Sequence, residues 1–490
     1  MTTAKPTQSE PWGEAWGEAA HRLASGEARL VGLWADGDEA RLALSAGRPE
    51  LEFFRYVAVD GSFASVGAAH PPAIRLERAV ADLSGLTARG APDPRPWLDH
   101  GRWPLSRPLG SSAPKDGGEP ARYAFLAAEG VGLHQIPVGP VHAGVIEPGH
   151  FRFHADGETI VRLEERLGYV HKGVERLMAG ADLARGGQLA GRVSGDSTVA
   201  YQIAFARAVE AARGVVAPPR AAWLRALMAE IERVANHLGD IGAICNDASF
   251  ALMHAHTGVL RELTLRAADI AFGHRLMMDC IAPGGVLVDL DRDRRAALRE
   301  LTATIRERFP RLIELYDNTA SLQDRTVGTG RLDPDLAQRF GCGGVIGRAS
   351  GRDFDARRDH PYSPYDELRF EIPVWREGDV NARVWVRIRE VEESLRLIGQ
   401  ILDRLPAGPV RSERQPAAQA GEGWALVEGF RGDVFVHVRL GADGRIARCH
   451  LRDPSWFQWP LLEAAIEGNI VADFPLCNKS FNCSYSGHDL

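Results

Sequence analysis

Apolar residues recur at helical spacing over long stretches in the middle of the chain. Between residues 221 and 244 they form one continuous stripe, with polar residues on the opposite face, and a second such stripe runs through residues 383–405. The same spacing predicts helices at residues 258–278 and 291–322. These segments predict a mainly helical domain with a large buried core.

Patterns typical of β-strands lie on either side of this helical region. Near the start, residues 30–36, 40–47 and 51–63 are rich in apolar and β-branched residues and are separated by turn signals. Towards the end, residues 423–440 and 444–453 have the same character. The chain is therefore predicted to be an α+β protein, with a small N-terminal α/β domain followed by a mainly α-helical domain that carries peripheral β-strands.

A short segment rich in glycine, serine and proline separates these two parts. It covers residues 108–121, with the sequence PLGSSAPKDGGEPA, and a composition of this kind is typical of linkers. The predicted organisation is a first domain at residues 1–107, a linker at 108–121 and a second domain at 122–490.

Composition excludes several functional classes. A net charge of -7 gives no basic face for nucleic acid, so we expect no nucleic-acid partner. No stretch approaches 18 uninterrupted apolar residues, and the first 20 residues lack the apolar core of a secretion signal. The 6 cysteines include no CxxC pair, which favours free thiols. These features predict a cytoplasmic chain that reaches a membrane surface only through partners.

The segment from Gly191 to Glu210, GRVSGDSTVAYQIAFARAVE, concentrates small polar residues before a run of helix formers. If the helix includes them, Ser194, Ser197 and Tyr201 share one face, because their spacing is i, i+3 and i+7. Ser194 and Asp196 are also candidate N-cap residues. Spacing alone is consistent with nothing more than a capped helix start that carries a hydroxyl cluster.

Five blocks, in order, resemble the large subunits of formate hydrogenlyase-type nickel–iron hydrogenases and the homologous large core subunit of complex I, the NADH:quinone oxidoreductase. The blocks are GPVHAGVIEPGHFRF, GYVHKGVE, EIERVANHLGDIGA, RASGRDFDARRDHPYSPYDEL and GNIVADFPL. Residues 1–107 resemble the complex I subunit that docks beside this one. The resemblance implies the fold of that family, electron transport, and partners within a membrane-associated complex.

The same resemblance identifies four positions where hydrogenases of this family carry metal-binding cysteines. In this chain these positions are occupied by Ser194, Ser197, Ser484 and Gly487. Soft transition metals need thiolates, whereas serine hydroxyls keep their protons at neutral pH and glycine offers no side chain. We therefore predict that the nickel–iron centre is absent and that the chain is not an active hydrogenase.

Matching residues of the family suggest roles for five side chains. Glu147 matches a proton-relay glutamate, and Arg192 and Asp196 belong to the same pocket, so these three are the candidate catalytic residues. His142 matches the first histidine of the complex I quinone-site loop. His237 and Arg192 match residues beside an iron–sulfur cluster held by a partner subunit. Without the family, Glu147 is more simply a surface carboxylate and His237 a histidine at the edge of the core.

Two departures affect the quinone site. Ile146 stands where the complex I loop has its second histidine, and Gly195 stands where complex I has the tyrosine that faces the quinone headgroup. Three hypotheses follow. In the first, the chain couples electron transfer from an iron–sulfur small subunit to ion movement by membrane-embedded antiporter-like subunits. In the second, its pocket binds quinone or another small electron acceptor. In the third, the chain is an assembly scaffold without chemistry. In each case we expect it on the inner face of the cell membrane.

Overall fold

The computed structural model describes residues 11–115, 122–413 and 418–490. The described residues form two compact units, the first made of those up to Ala124 together with Arg339–Gly341, and the second of the remainder. Residues 116–121 of the predicted linker lie outside the described residues. The domain boundaries at residues 107 and 122 stay predictions.

The first unit combines two helices with short sheets. Its elements are α1 (Pro11–Ser25), β1 (Arg29–Asp36), β2 (Glu39–Ser45), β3 (Glu52–Val57), β4 (Ser62–Ala64), α2 (Ile74–Ser84), β5 (Thr87–Arg89), β6 (Leu105–Ser106) and β7 (Ala113–Pro114). Strands β1, β2 and β3 form an antiparallel sheet in that order, and β4 pairs in parallel with β5. The rings of Trp16, Phe63 and Trp97 are buried in its core.

The second unit is mainly helical. From Val174 onward the helices are α3 (Val174–Met178), α4 (Leu183–Ala190), α5 (Thr198–Arg213), α6 (Pro219–Asp247), α7 (Ala251–Phe272), α8 (Arg292–Asn318), α9 (Ala320–Thr326), α10 (Pro334–Arg339), α11 (Gly344–Ala349), α12 (Ala356–Asp359), α13 (Val380–Arg404), α14 (Ser455–Ala465), α15 (Phe474–Phe481) and α16 (Tyr485–Asp489). The two predicted apolar stripes are confirmed as α6 and α13, which pack against each other through buried side chains. Within the described ranges, no helix has both the length and the apolar composition that a membrane crossing needs.

Strands of the second unit form small antiparallel sheets. They are β8 (His134–Val138), β9 (His150–Asp156), β10 (Thr159–Arg166), β11 (Ile281–Ala282), β12 (Gly285–Val286), β13 (Gly421–Gly429), β14 (Gly432–Leu440) and β15 (Ile446–Arg452). The segment at residues 423–440 is a hairpin of β13 and β14, and both strands pack on α5. The predicted α+β class is confirmed.

The start of α5 differs from the sequence prediction. A 3-10 turn at Gly195–Ser197 precedes the α-helix, which begins at Thr198. Ser194 and Ser197 therefore lie outside the helix, and the prediction that they share a helical face with Tyr201 is wrong. The N-cap prediction is also wrong, because the side chains of Ser194 and Asp196 form no capping hydrogen bond. Both side chains bond instead to each other and to more distant parts of the chain.

Candidate functional site

Three segments that are distant in sequence meet beside the start of α5. They are the loop that precedes α5, the turn between β13 and β14, and the C-terminal segment that begins after α15. We call their shared polar group the serine site, which consists of Ser194, Asp196, Ser197, Arg431 and Ser484. Hydrogen bonds connect all five side chains.

The strongest contact of the serine site is an ion pair between Asp196 and Arg431. Arg431 lies in the two-residue turn of the β13–β14 hairpin, and its Nη1 and Nη2 donate to the two carboxylate oxygens of Asp196 at 2.8 and 2.5 Å. Burial alone would raise the pKa of Asp196, but the charge and hydrogen bonds of Arg431 outweigh it and lower that pKa to about 2. The carboxylate is therefore ionised at neutral pH.

The serine hydroxyls are used in structural hydrogen bonds. Ser194 Oγ donates to Asp196 Oδ1 at 2.6 Å, and Ser484 Oγ donates to Ser194 Oγ at 3.1 Å. Ser484 also caps α16, because its Oγ accepts a hydrogen bond from Gly487 N at 2.9 Å. Ser197 Oγ accepts from Arg431 at 3.1 Å. The hydroxyls thus connect the α5 loop to the C-terminal segment.

A carboxylate occupies the space beside Gly487. Tyr201 donates to Asp453 Oδ2 at 2.6 Å, and Ser455 N donates to Asp453 Oδ1 at 2.8 Å, so both oxygens are held in place. A Cβ atom added to Gly487 would overlap the Asp453 carboxylate and lie 2.8 Å from Ser484 Oγ. No side chain fits at position 487 while Asp453 keeps these hydrogen bonds.

This crowding predicts the effect of a single methyl group. We expect Gly487→Ala to lower the free energy of unfolding by about 1–3 kcal/mol, the usual cost of overpacking. Gly195→Ala is the matched control beside the same site, because its added Cβ would meet no atom of the described residues within 4 Å. Urea unfolding of the two variants measures the difference, and equal stability would contradict the placement of Asp453.

Comparison with known proteins places this chain in a family. A family model described as the 49 kDa subunit of respiratory-chain NADH dehydrogenase matches residues 248–419 and 411–489. Formate hydrogenlyase subunit 5 of Escherichia coli is 33% identical over 461 residues, which are 92% of this chain and 78% of that protein. The chain belongs to this family. A subunit of the NADH-quinone oxidoreductase of Desulfotalea psychrophila is 32% identical over 345 residues, covering 69% of this chain and 92% of that protein.

A solved structure extends the relationship to a third kind of complex. A chain in the structure of the membrane-bound sulfane sulfur reductase, an archaeal respiratory membrane complex, superposes with a TM-score of 0.69 at 27% sequence identity. The match covers 73% of this chain and 98% of that chain. The predicted family resemblance is confirmed. The chain is homologous to 49 kDa-type subunits of complex I-like and hydrogenase-related membrane complexes.

The residues of the serine site do not fit the nickel–iron centre that the hydrogenases in this family imply. Three of the four predicted ligand positions carry hydroxyls that already bond within the chain, and the fourth, Gly487, is closed by the Asp453 carboxylate. Among the described residues, no group of three or more histidine, cysteine, aspartate or glutamate side chains is arranged to hold a metal ion. The donor atoms here are hard oxygens, whereas this kind of centre needs thiolate sulfur.

Cys483 is next to one of the four ligand positions but does not replace a missing thiolate. It is buried, like the other five cysteines, and burial raises the pKa of its thiol well above the ordinary value. A thiol in this environment stays protonated and is a poor metal ligand.

Two of the predicted site residues lie near the C-terminal end of the chain. Glu147 is exposed, and its Oε2 accepts a hydrogen bond from Ser486 N at 2.9 Å. The Nε2 atom of His142 lies 3.2 Å from the hydroxyl of Tyr485, and burial lowers the pKa of this imidazole. Both residues therefore contact the segment that carries Ser484: His142 one residue beyond that serine, and Glu147 two residues beyond it.

The other two predicted residues lie apart from the serine site. Arg192 is exposed and forms a bidentate ion pair with Asp279, with one contact at 2.6 Å. His237 is fully buried on α6, where its Nε2 lies 2.8 Å from Glu390 Oε2. Burial lowers the pKa of His237 even though Glu390 opposes the shift. Their position beside a partner's iron–sulfur cluster stays a prediction.

Sequence reasoning missed three groups that hold the site together: Arg431, Asp453 and Glu232. Glu232 on α6 accepts hydrogen bonds from Val199 N and Ala200 N at 2.7 and 3.2 Å, so it caps α5 from outside the helix. Burial, together with the nearby charge of Asp196, raises the pKa of Glu232 to about 8. No local sequence signal identifies such a cap, because the carboxylate comes from another helix.

The raised pKa of Glu232 predicts a pH dependence of stability. Between the ordinary value of 4.5 and about pH 8, Glu232 keeps its proton in the folded chain but loses it in the unfolded chain. The contribution of Glu232 to the free energy of unfolding therefore falls as the pH rises through that window, by at most about 1.4 kcal/mol per pH unit. Above the window this contribution no longer changes with pH. We expect Glu232→Gln to remove this part of the slope. Unfolding free energies of both proteins from pH 5 to pH 9 test this, and parallel curves would contradict it.

Two cavities, of about 250 and 200 Å³, adjoin the C-terminal half of α5. They share Glu210 and Val215 in their walls. The described residues that line them include no predicted site residue and no residue of the serine site, so the cavities are separate features of the molecule.

Proposed function

We propose that this chain is the large subunit of a membrane-associated oxidoreductase complex, related to complex I and to energy-converting hydrogenases, that has no nickel–iron centre. The observation that carries the proposal is the serine site. Three of the positions predicted for metal-binding cysteines carry hydroxyls that bond within the chain beside the Asp196–Arg431 ion pair, and Asp453 fills the space beside the fourth, Gly487. The side chains of such a site offer oxygen and guanidinium nitrogen in place of sulfur.

In this proposal the chain couples electron transfer from an adjacent iron–sulfur subunit to quinone reduction or to ion translocation by membrane subunits. The complex would hold it on the inner face of the cell membrane. Support comes from relatives named for quinone reduction and for a respiratory membrane complex. Within the chain, Glu147, Arg192 and Asp196 are the proposed catalytic groups, His142 the proposed quinone contact, and His237 the proposed neighbour of the partner's cluster.

Purification of the tagged chain from membranes of its natural host tests this assembly. An iron–sulfur subunit and membrane-embedded subunits are expected to co-purify with it, and the preparation is expected to contain iron. Recovery of the chain alone, from a mild-detergent extract, would contradict the proposal.

Quinone reductase activity of that complex distinguishes a catalytic pocket from an inert one. Glu147→Gln is expected to lower turnover at least tenfold if Glu147 passes protons, because general acid–base groups typically contribute about 10²–10⁴ in rate. Glu158→Gln, an exposed glutamate in the β9–β10 turn, is the matched control and should leave turnover unchanged.

A scaffold without chemistry is the second candidate function. It is favoured by one observation: the polar groups of the serine site bond to one another, and Arg192 is already held by Asp279. Unchanged turnover in both Glu147→Gln and Arg192→Ala, with the complex intact, would favour the scaffold.

A further inference from the structure

The larger cavity adjoins the C-terminal half of α5, whereas the serine site lies at the start of that helix. Its volume is about 250 Å³, and its walls come from α5, the loop after α5, α6 and residues 362–365. Ile203, Val215, Ala222 and Ala226 make much of the wall apolar, and Val216 at the rim is 83% exposed. The volume is just below the range of about 300–1,000 Å³ typical of small-molecule sites.

Arg207 lines this cavity. Within residues 11–115, 122–413 and 418–490 it forms no hydrogen bond or ion pair, and its Nε is buried. Its Cζ lies 4.4 Å from the centre of the Tyr362 ring, which covers one face of the guanidinium. Burial lowers the pKa of Arg207. Arg207 is partly exposed, so solvent reaches part of its guanidinium, but its buried Nε–H has no acceptor among the described residues, which is costly.

The acidic groups nearby do not satisfy this cation. Glu210 is bound by Arg225, whose Nη2 and Nη1 donate to its two oxygens at 2.6 and 3.1 Å, and Gly284 N donates to it at 2.7 Å. Asp366 acts on Arg207 only through its charge and is exposed. The cavity therefore presents the positive charge of Arg207 in a largely apolar wall.

We infer that this cavity binds a small amphiphilic anion. The carboxylate or phosphate of the ligand accepts hydrogen bonds from Arg207, and its apolar part contacts Ile203, Val215 and Ala226. The fork of a guanidinium matches the paired oxygens of either anion. A free organic acid and the headgroup region of an anionic lipid share this chemistry. The site is separate from the serine site and does not depend on the function proposed for it.

Calorimetric titration of the purified, intact complex with octanoate, and with uncharged octanol for comparison, tests the inference. Octanoate is expected to bind at least tenfold more tightly than octanol, because only its carboxylate is charged and accepts charge-assisted hydrogen bonds from Arg207. Arg207→Met should abolish this preference, and Arg207→Lys should keep most of it. Arg213→Met, on the same helix but in the wall of the smaller cavity, should leave it unchanged.

A second variant keeps the test independent of the charge. Ala222→Leu fills the larger cavity and is expected to prevent binding of both octanoate and octanol, with thermal unfolding confirming that the variant is folded. A competition experiment distinguishes an anionic lipid from a free organic acid as the natural ligand. Vesicles containing phosphatidic acid displace octanoate if the natural ligand is a lipid, and do not if it is a free acid. Equal binding of octanoate and octanol, binding unaffected by Arg207→Met, or no binding of octanoate would each overturn the inference.

Discussion

Replacement of Arg348 by methionine is expected to lower the free energy of unfolding by about 3–5 kcal/mol, the usual cost of removing one partner of a buried ion pair. Arg348 on α11 is fully buried and donates to Glu390 on α13 at 2.8 Å and to Glu428 on β13 at 2.9 Å. Methionine keeps much of the side-chain volume of arginine but removes the guanidinium that donates to both carboxylates. Chemical unfolding measured by circular dichroism gives the difference directly.

A neighbouring arginine provides the matched control. Arg358 forms ion pairs with Asp353 and Asp359, but its side chain is 42% exposed, so water screens the charges. Arg358→Met should therefore cost less than about 1 kcal/mol. Similar losses in Arg348→Met and Arg358→Met would contradict the view that a buried ionic network holds α6, α11, α13 and β13 together.

Replacement of Arg431 by methionine is expected to be the second large effect, at about 3 kcal/mol, which is the lower end for a broken buried pair because Asp196 is 35% exposed. The variant loses both hydrogen bonds to Asp196, the contact with Ser197 and the 2.5 Å bond to the carbonyl of Asn482. The loop before α5 and the C-terminal segment would then no longer be connected through the guanidinium of Arg431.

The pH dependence of this second effect follows from the pKa of Asp196. In the folded chain that pKa is lowered from 3.8 to about 2, so the pair stabilises the folded state above about pH 4 and the contribution is lost as the pH falls towards 2. The difference between wild type and Arg431→Met should therefore shrink at acid pH. Arg192→Met, which breaks the exposed pair with Asp279, is the control and should show a small difference at every pH. A constant difference for Arg431→Met would contradict the assignment.

The helical part of the fold could be predicted from local pattern alone. The apolar stripes of α6 and α13 are long and regular, and burial of one face determines where such helices lie. The start of α5 could not be predicted in this way. Helical spacing places Ser194 and Ser197 on one face of a helix, but the polar groups of other segments, Arg431 and Ser484, hold them in a loop instead.

The serine site shows a second limit of local reasoning. Resemblance to the family selected Ser194, Ser197, Ser484 and Gly487, and the structure brings these positions together through the loop before α5 and the C-terminal segment. The groups that contact these positions, Arg431 and Asp453, follow strands β13 and β15 and carry no motif of their own. Their roles depend on tertiary contacts between segments far apart in sequence, such as the 235-residue separation of Arg431 and Asp196.

The metal content of the purified complex tests the central claim most directly. The claim is that oxygen and guanidinium groups occupy the place where the related hydrogenases bind nickel and iron. Elemental mass spectrometry on complex isolated from cells grown with added nickel should find iron but no stoichiometric nickel. One nickel atom per chain, with X-ray absorption showing sulfur ligands from this polypeptide, would contradict the claim.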